Sequence, residues 1–262
     1  MLSTTPGKIC LLKRNERIRA ATLTNLKNEL AEAGDPERAK SSASFFKTGP
    51  GGYGEGDQFL GIRVPEQRKI AHRYLHLPLA DIGRLLKSSV HEHRFTAAEI
   101  LVARYEKGEA EEAEEIFRFY LAHAGRMNNW DLVDTSAPYI VGAHLLQRPR
   151  EILDKLARSE NLWERRIAIV STFAFIKKRQ LDDTFRIAEI LLADPHDLIH
   201  KAVGWALRDA GTVSRAKLRR FLRRHYHKLP RTTLRYAIEH FPSAERANIL
   251  AGIFKTPSQS AK

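Results

Sequence analysis

Trp130 and Asp134 stand four residues apart in the run MNNWDLVD. On a helix that spacing puts both on one face. A carboxylate beside large aromatic surfaces is costly to bury, so it needs a cationic partner or a task in which positive charge develops next to it. Arg166, in LWERRIAIV, and Trp205, in HKAVGWALRD, complete the grouping. Two readings follow from the residue types. In one, indole faces and a carboxylate flank a cationic species, which both attract. In the other, the tryptophans are core and Asp134 with Arg166 is a structural ion pair; spacing alone leaves both open.

The elements that must carry these residues read as helices. IAHRYLHLPLADIGRLLKS, HRFTAAEILVARYEKG, REILDKLARS, RRIAIVSTFAFIKK, FRIAEILLA and TLRYAIEHF place apolar residues three and four apart. No segment alternates with period two, and the breaks fall at AGDPERA, KTGPGGYGEGD, QRPRE, ADPHD, DAGTVS and KLPRT. A basic or aromatic residue before an alanine-rich apolar stretch recurs at Arg94, Trp130, Arg166, Lys201 and Arg235, in steps of 36, 36, 35 and 34 residues. That is the length of a helix pair, and such a period marks an α-solenoid of HEAT-like type. The expected fold is all-α, a curved solenoid forming a single domain over 1–262, with a flexible extension over 1–20 and a flexible tail over 255–262. Trp130, Asp134, Arg166 and Trp205 are then expected in a line on one face of successive repeats.

Charge points to the partner. The chain of 262 residues carries a net charge of +13. Fourteen Lys and Arg against three acids (Asp209, Glu239, Glu245) give residues 201–262 a charge of +11. So lopsided a distribution suits a polyanion, with nucleic acid ahead of membrane because no amphipathic anchor stands out. No apolar stretch approaches the ~20 residues that span a bilayer, and no signal peptide is recognisable. The single cysteine, Cys10, excludes an intramolecular disulfide and fits a cytoplasmic protein. His91 with His93, and His225 with His227, lack the cysteines and acids of a zinc site, so neither metal nor cofactor is expected. GPGGYGEGD is not a phosphate-binding loop, since no Gly-Lys-Ser/Thr follows it.

FLGIRVPEQR, MNNWDLVD, LWERRIAIV, HKAVGWALRDAG and TLRYAIEHF together resemble the AlkD-type DNA alkylation repair glycosylases, a family of HEAT-like repeat proteins. The likeness runs from about Leu30 to Phe241, and WDLVD and GWALR are its specific parts. It implies a catalytic set of Asp134, Trp130, Trp205 and Arg166, and a monomer acting on double-stranded DNA that contains alkylated purines. The implied reaction hydrolyses the N-glycosidic bond of cationic bases of the 3-methyladenine and 7-methylguanine type, without base flipping. A cationic base leaves as a neutral molecule without a general acid, and the barrier lies in an oxocarbenium-like sugar that one carboxylate can stabilise. Arg208, Lys177, Lys178, Arg165 and Lys201 are the expected DNA-binding residues. The alternative is a non-catalytic HEAT-like scaffold that recognises damaged or bent DNA or RNA by charge and shape. The glycine-rich insertion KTGPGGYGEGDQ before FLGIRVP departs from the family pattern.

Overall fold

The computed structural model describes residues 22–254, so the expected extension, the expected tail and Cys10 lie outside the described residues. All regular structure among the described residues is helical, apart from one isolated bridge between Gln58 and Val90. The described residues fold as two compact units, divided between Ser136 and Ala137.

In the first unit, α1 (Leu23–Glu32) begins where the Thr22 hydroxyl accepts the Asn25 N–H at 3.1 Å. Asp35 caps α2 (Pro36–Phe45) by accepting the N–H groups of Glu37 and Arg38, and Pro36 opens the helix without losing a bond. The unit continues with α3 (Val64–Arg73), α4 (Leu79–Leu86), α5 (His91–Lys107), α6 (Ala110–Ala122) and α7 (Trp130–Ser136). Helix α5 is the hub: it packs on α3, α4, α6 and α7, and its first half is buried from His91 to Ala98. Its Glu92 carboxylate, 2% exposed, accepts the N–H groups of Leu60 (2.9 Å), Gly61 (2.7 Å) and Ile62 (3.4 Å). Gly61 has φ +78° and a Cβ there would lie 2.2 Å from the Asp35 carbonyl, so FLGI needs its glycine for both conformation and space.

The second unit opens with a wide π-type turn over Pro138–Gly142, then α8 (Glu151–Ala157), α9 (Leu162–Ser171) and α10 (Phe173–Lys177). RRIAIVSTFAFIKK, continuous in its periodicity, is thus two helices. Ser171 and Thr172 turn their hydroxyls back onto the carbonyls of Ile167 and Ile169, both at 2.7 Å, which competes with the helical ladder at the break. Helices α11 (Asp182–Ile190), α12 (Asp197–Val213), α13 (Arg215–His225), α14 (Arg231–Ala237) and α15 (Ser243–Leu250) follow. Here α12 is the hub, packed on α9, α10, α11, α13 and α14. A Cβ on Gly204 would stand 2.5 Å from the Tyr236 Cβ and 2.9 Å from the Thr233 carbonyl, so this glycine lets α12 and α14 approach closely.

The period read from the sequence is visible in both units. Arg94, Trp130, Arg166, Lys201 and Arg235 fall within the first five residues of α5, α7, α9, α12 and α14. Hydrogen bonds also span about one repeat: Arg68 to Glu99 (31 residues), Arg150 to Asp183 (33), Arg165 to Asp194 (29) and Thr233 to the His200 carbonyl (33). Each clamps one helix pair to the next.

Candidate active site and nucleic-acid surface

Trp130 is the first residue of α7, and the buried Asn129 side chain accepts its N–H at 2.8 Å. Asp134 follows one helical turn later, half-buried, so the i, i+4 pairing holds. The carboxylate lies beside the buried Tyr120 hydroxyl, which hydrogen-bonds Ser136 at 2.8 Å. Burial above all, with the Asp134 charge adding to it against the Ser136 bond, pushes the Tyr120 hydroxyl well above the ordinary tyrosine range.

The glycine-rich insertion folds onto Trp130. The indole stacks on Phe46 (centroids 5.5 Å, 24°), meets Phe45 edge-on (5.9 Å, 71°) and donates Nε1–H to the Tyr53 hydroxyl at 3.2 Å. Tyr53 in turn donates to the Phe45 carbonyl at 3.4 Å, and the Lys47 ammonium lies 5.9 Å from its ring centroid. The segment reverses direction through positive φ at Lys47, Gly51 and Gly56. Phe45 remains 64% exposed, so the aromatic group is a partly open surface and not core. Neither reading of the tryptophan at the sequence level foresaw this third arrangement.

Behind the aromatics lies a buried charge network. His91 stacks against Phe46 (4.8 Å) and Phe59 (4.7 Å), and its Nε2 bonds Asp131 Oδ2 at 2.8 Å. Its Nδ1 is 3.8 Å from Asp57 Oδ2, an attraction of charges too long for a hydrogen bond. Asp57 is held by Arg94, 2% exposed, at 2.6 Å. Burial works against a charged His91, yet Asp131 and then Asp57 outweigh it and push the imidazole up to about 9. The insertion, α5 and the start of α7 are therefore joined through one imidazolium.

In the second unit, the Trp205 ring on α12 is half-buried and tilted against Phe173 (4.2 Å, 43°). Arg166 is only 5% exposed and donates to the Leu198 carbonyl at 2.7 Å, tying α9 to the first turn of α12. Alongside, Lys201, Arg208, Thr232, Arg235, Tyr236 and Glu239 line a groove of about 550 Å³. Lys201 pairs with Asp197 at 2.7 Å, and Arg208 pairs with Glu239 and with Asp209. Arg235 is exposed and has no carboxylate partner among the described residues, so the expected set of cations omitted the groove's available one. Its place in the 35-residue recurrence was the signal for it.

The other expected phosphate ligands differ in kind. Arg165 is committed to the fold: its Nε is 2.5 Å from Asp194, itself 3% exposed, and its Nη1 reaches the carbonyls of Ser159 and Glu160. Lys177 and Lys178 are exposed at the end of α10, Lys177 lying 5.3 Å from the Tyr139 ring centroid. Of the expected catalytic four, Trp130 and Asp134 belong to the first unit, Arg166 and Trp205 to the second. No group of three His, Cys, Asp or Glu able to hold a metal occurs among the described residues, and no described helix is long and apolar enough to cross a membrane.

The chain is similar to known proteins chiefly through its family pattern. No curated protein matches it. A predicted DNA alkylation repair enzyme from Enterococcus faecalis shares the fold, with a TM-score of 0.64 at 19% identity over 80% of this chain and 97% of that one. The smu.31 protein of Streptococcus mutans UA159 gives 0.43 at 17% identity over 84% and 90%. The model of the family described as DNA alkylation repair enzymes matches residues 26–241, which takes in the FLGI segment, α7 and the α12–α14 groove, and this chain belongs to that family.

Proposed function

We propose that the chain is a monofunctional DNA glycosylase that hydrolyses the N-glycosidic bond of cationic alkylated purines in duplex DNA, acting as a monomer and without flipping the base. The observation that carries the reading is the placement of Asp134 one turn after Trp130, beside a partly open aromatic surface, in a member of an alkylation repair family. As the bond to a cationic base breaks, positive charge passes to the deoxyribose. Asp134 stabilises that charge and orients the attacking water, and the indoles of Trp130 and Trp205 each offer the DNA a face that favours cations. Arg166, buried against Leu198, contributes a fixed positive charge and holds α9 in register with α12. Phosphates are contacted by Arg235 in the groove, by Lys177 and Lys178, and by Lys201 and Arg208 when the duplex displaces their carboxylates.

The test is excision from duplexes carrying 3-methyladenine or 7-methylguanine, compared between wild type and Asp134→Asn. The wild type releases the base; the variant loses about 100- to 1000-fold in rate, the worth of one preorganised electrostatic group, while binding the same duplex at least as well. Wild-type protein that binds the lesion and releases nothing would place the chain with the non-catalytic scaffolds. Near-normal excision by a folded Asp134→Asn protein would remove Asp134 from the mechanism.

A further inference from the structure

Most of the unmatched positive charge of residues 201–262 lies away from the groove. Around α12 and α14 the cations are mostly matched: Lys201 with Asp197, and Arg208 with Glu239 and Asp209. On α13, Lys217 is likewise matched with Asp182, and Arg219 makes a two-pronged bond with Glu245 at 2.5 and 2.8 Å. Arg220, Arg223 and Arg224 are different. All three are exposed, and none meets a carboxylate or any other hydrogen-bond partner among the described residues.

Their arrangement on the helix is also specific. Leu218, Phe221, Leu222 and His225 form the buried face of α13, which packs on α12, and Phe221 meets Phe185 of α11 at 5.3 Å. At ~100° per residue, Arg220, Arg223 and Arg224 fall within one arc on the opposite side, directed away from the helix that carries Trp205. Arg220 lies three and four residues before the other two, so the strip stacks like charges at the spacings where they repel. The first turn holds Arg215 and Lys217 with no acid, against the sense of the helix dipole. Arg223 and Arg224 in the last turn do suit the dipole, but that accounts for two of the helix's six Lys and Arg and leaves the repulsion in place. Lys228, also exposed and without a carboxylate partner among the described residues, prolongs the strip beyond the end of α13.

We infer that the outer face of α13 is a second nucleic-acid surface, a strip of Arg220, Arg223, Arg224 and Lys228 that binds the phosphates of undamaged duplex independently of the Trp205 groove. The three arginines span about 6 Å along the helix, within reach of two or three phosphates spaced ~3.4 Å axially on one strand. Long guanidinium arms suit that anion, and no base-reading geometry is required. The strip carries no large exposed apolar side chain, which separates it from a helix that enters a lipid interface. The inference rests on the proposed function only in taking duplex DNA as the polyanion.

The experiment compares Arg220→Gln/Arg223→Gln/Arg224→Gln with a control that removes the same charge elsewhere, Lys40→Gln/Arg84→Gln/Arg118→Gln, each of the control residues being exposed. Affinity for an undamaged duplex is measured from low to physiological salt. Each phosphate contact contributes about 0.9 to the slope of log affinity against log salt. The α13 variant is expected to lose two to three units of slope and ten- to a hundredfold in affinity at low salt, with an unchanged helical spectrum, while the control loses less than one unit. The Arg→Lys version at the same three positions keeps most of the slope. Equal slopes in the α13 variant and the control would make the strip a solvated face and overturn the inference, as would loss of binding to phosphatidylserine vesicles with duplex binding intact. Excision does not enter the measurement, so a failure of the proposed chemistry leaves this result standing.

Discussion

Trp130 and Trp205 are the same residue type in two settings. Trp130 is placed from outside its helix: Phe46, Phe45 and Tyr53 come from a segment far earlier in the chain, of which Tyr53, the nearest, is 77 residues away. Trp205 is placed from within, by the close approach of α12 to α14 that Gly204 allows and by Phe173 on the preceding repeat. The first setting depends on a loop and a buried charge, the second on backbone packing. A site built the first way responds to conditions, and one built the second way is lost only when helices separate.

The largest effect that sharpens this contrast is at Gly204. Gly204→Val must push α12 from α14 and is expected to cost about 3 kcal/mol, read as a lower denaturant midpoint with excision lost in proportion to folding. A variant as stable as wild type would mean that helix approach does not set Trp205. Next comes pH. His91 is raised to about 9 from 6.5, so its contribution is present below 6.5 and lost as pH rises through 9, on the order of 2 to 3 kcal/mol. His93 is pushed down to about 4, chiefly by burial, and its contribution is lost in the opposite direction, as pH falls from 6.5 to 4. Amide protection in the first unit, taken relative to the intrinsic base-catalysed exchange rate, should therefore be greatest near pH 6.5 and fall towards pH 9, an alkaline loss that His91→Gln removes. Alkaline loosening confined to the second unit would count against the His91 link.

Much of this contrast was written in the sequence at the level of elements. The three- and four-residue spacing of apolar side chains gave the helices, the recurrence of about 36 residues marked the N-terminal parts of five of them, and the Trp130–Asp134 pair follows from helix geometry alone. What was not legible depends on contacts between distant segments. Nothing local in GPGGYGEGD says that Tyr53 will meet Trp130, because glycines permit many paths and only tertiary packing selects one. Arg165 and Arg208 read as available cations until Asp194 and Glu239, 29 and 31 residues on, turn out to hold them. Those separations are one repeat long, so the period itself carried a clue to the partners.

Smaller effects separate the two tryptophans further. Trp130→Ala and Trp205→Ala should both slow excision, but Trp130→Ala should also release the insertion, seen as faster proteolysis within residues 47–57. Equal protease sensitivity in the two variants would show that the insertion holds itself. The smallest change is Tyr53→Phe, which deletes one hydroxyl with its bonds to the indole and to the Phe45 carbonyl, each worth about 1 kcal/mol. It should lower the excision rate severalfold with little change in duplex affinity, and a drop in affinity alone would instead assign Tyr53 to DNA.

The clamps that span one repeat bear on how such a chain reaches its native state. Arg68 to Glu99, Arg150 to Asp183, Arg165 to Asp194 and Thr233 to His200 all close loops of about thirty residues. Partners this near in sequence keep the contact order low and the entropy of loop closure modest, so each helix pair can nucleate on its neighbour without waiting for the distant terminus. Within each unit folding then proceeds from one helix pair to the next, and a lesion in one clamp slows the step at that repeat while its neighbours zip at their own rates.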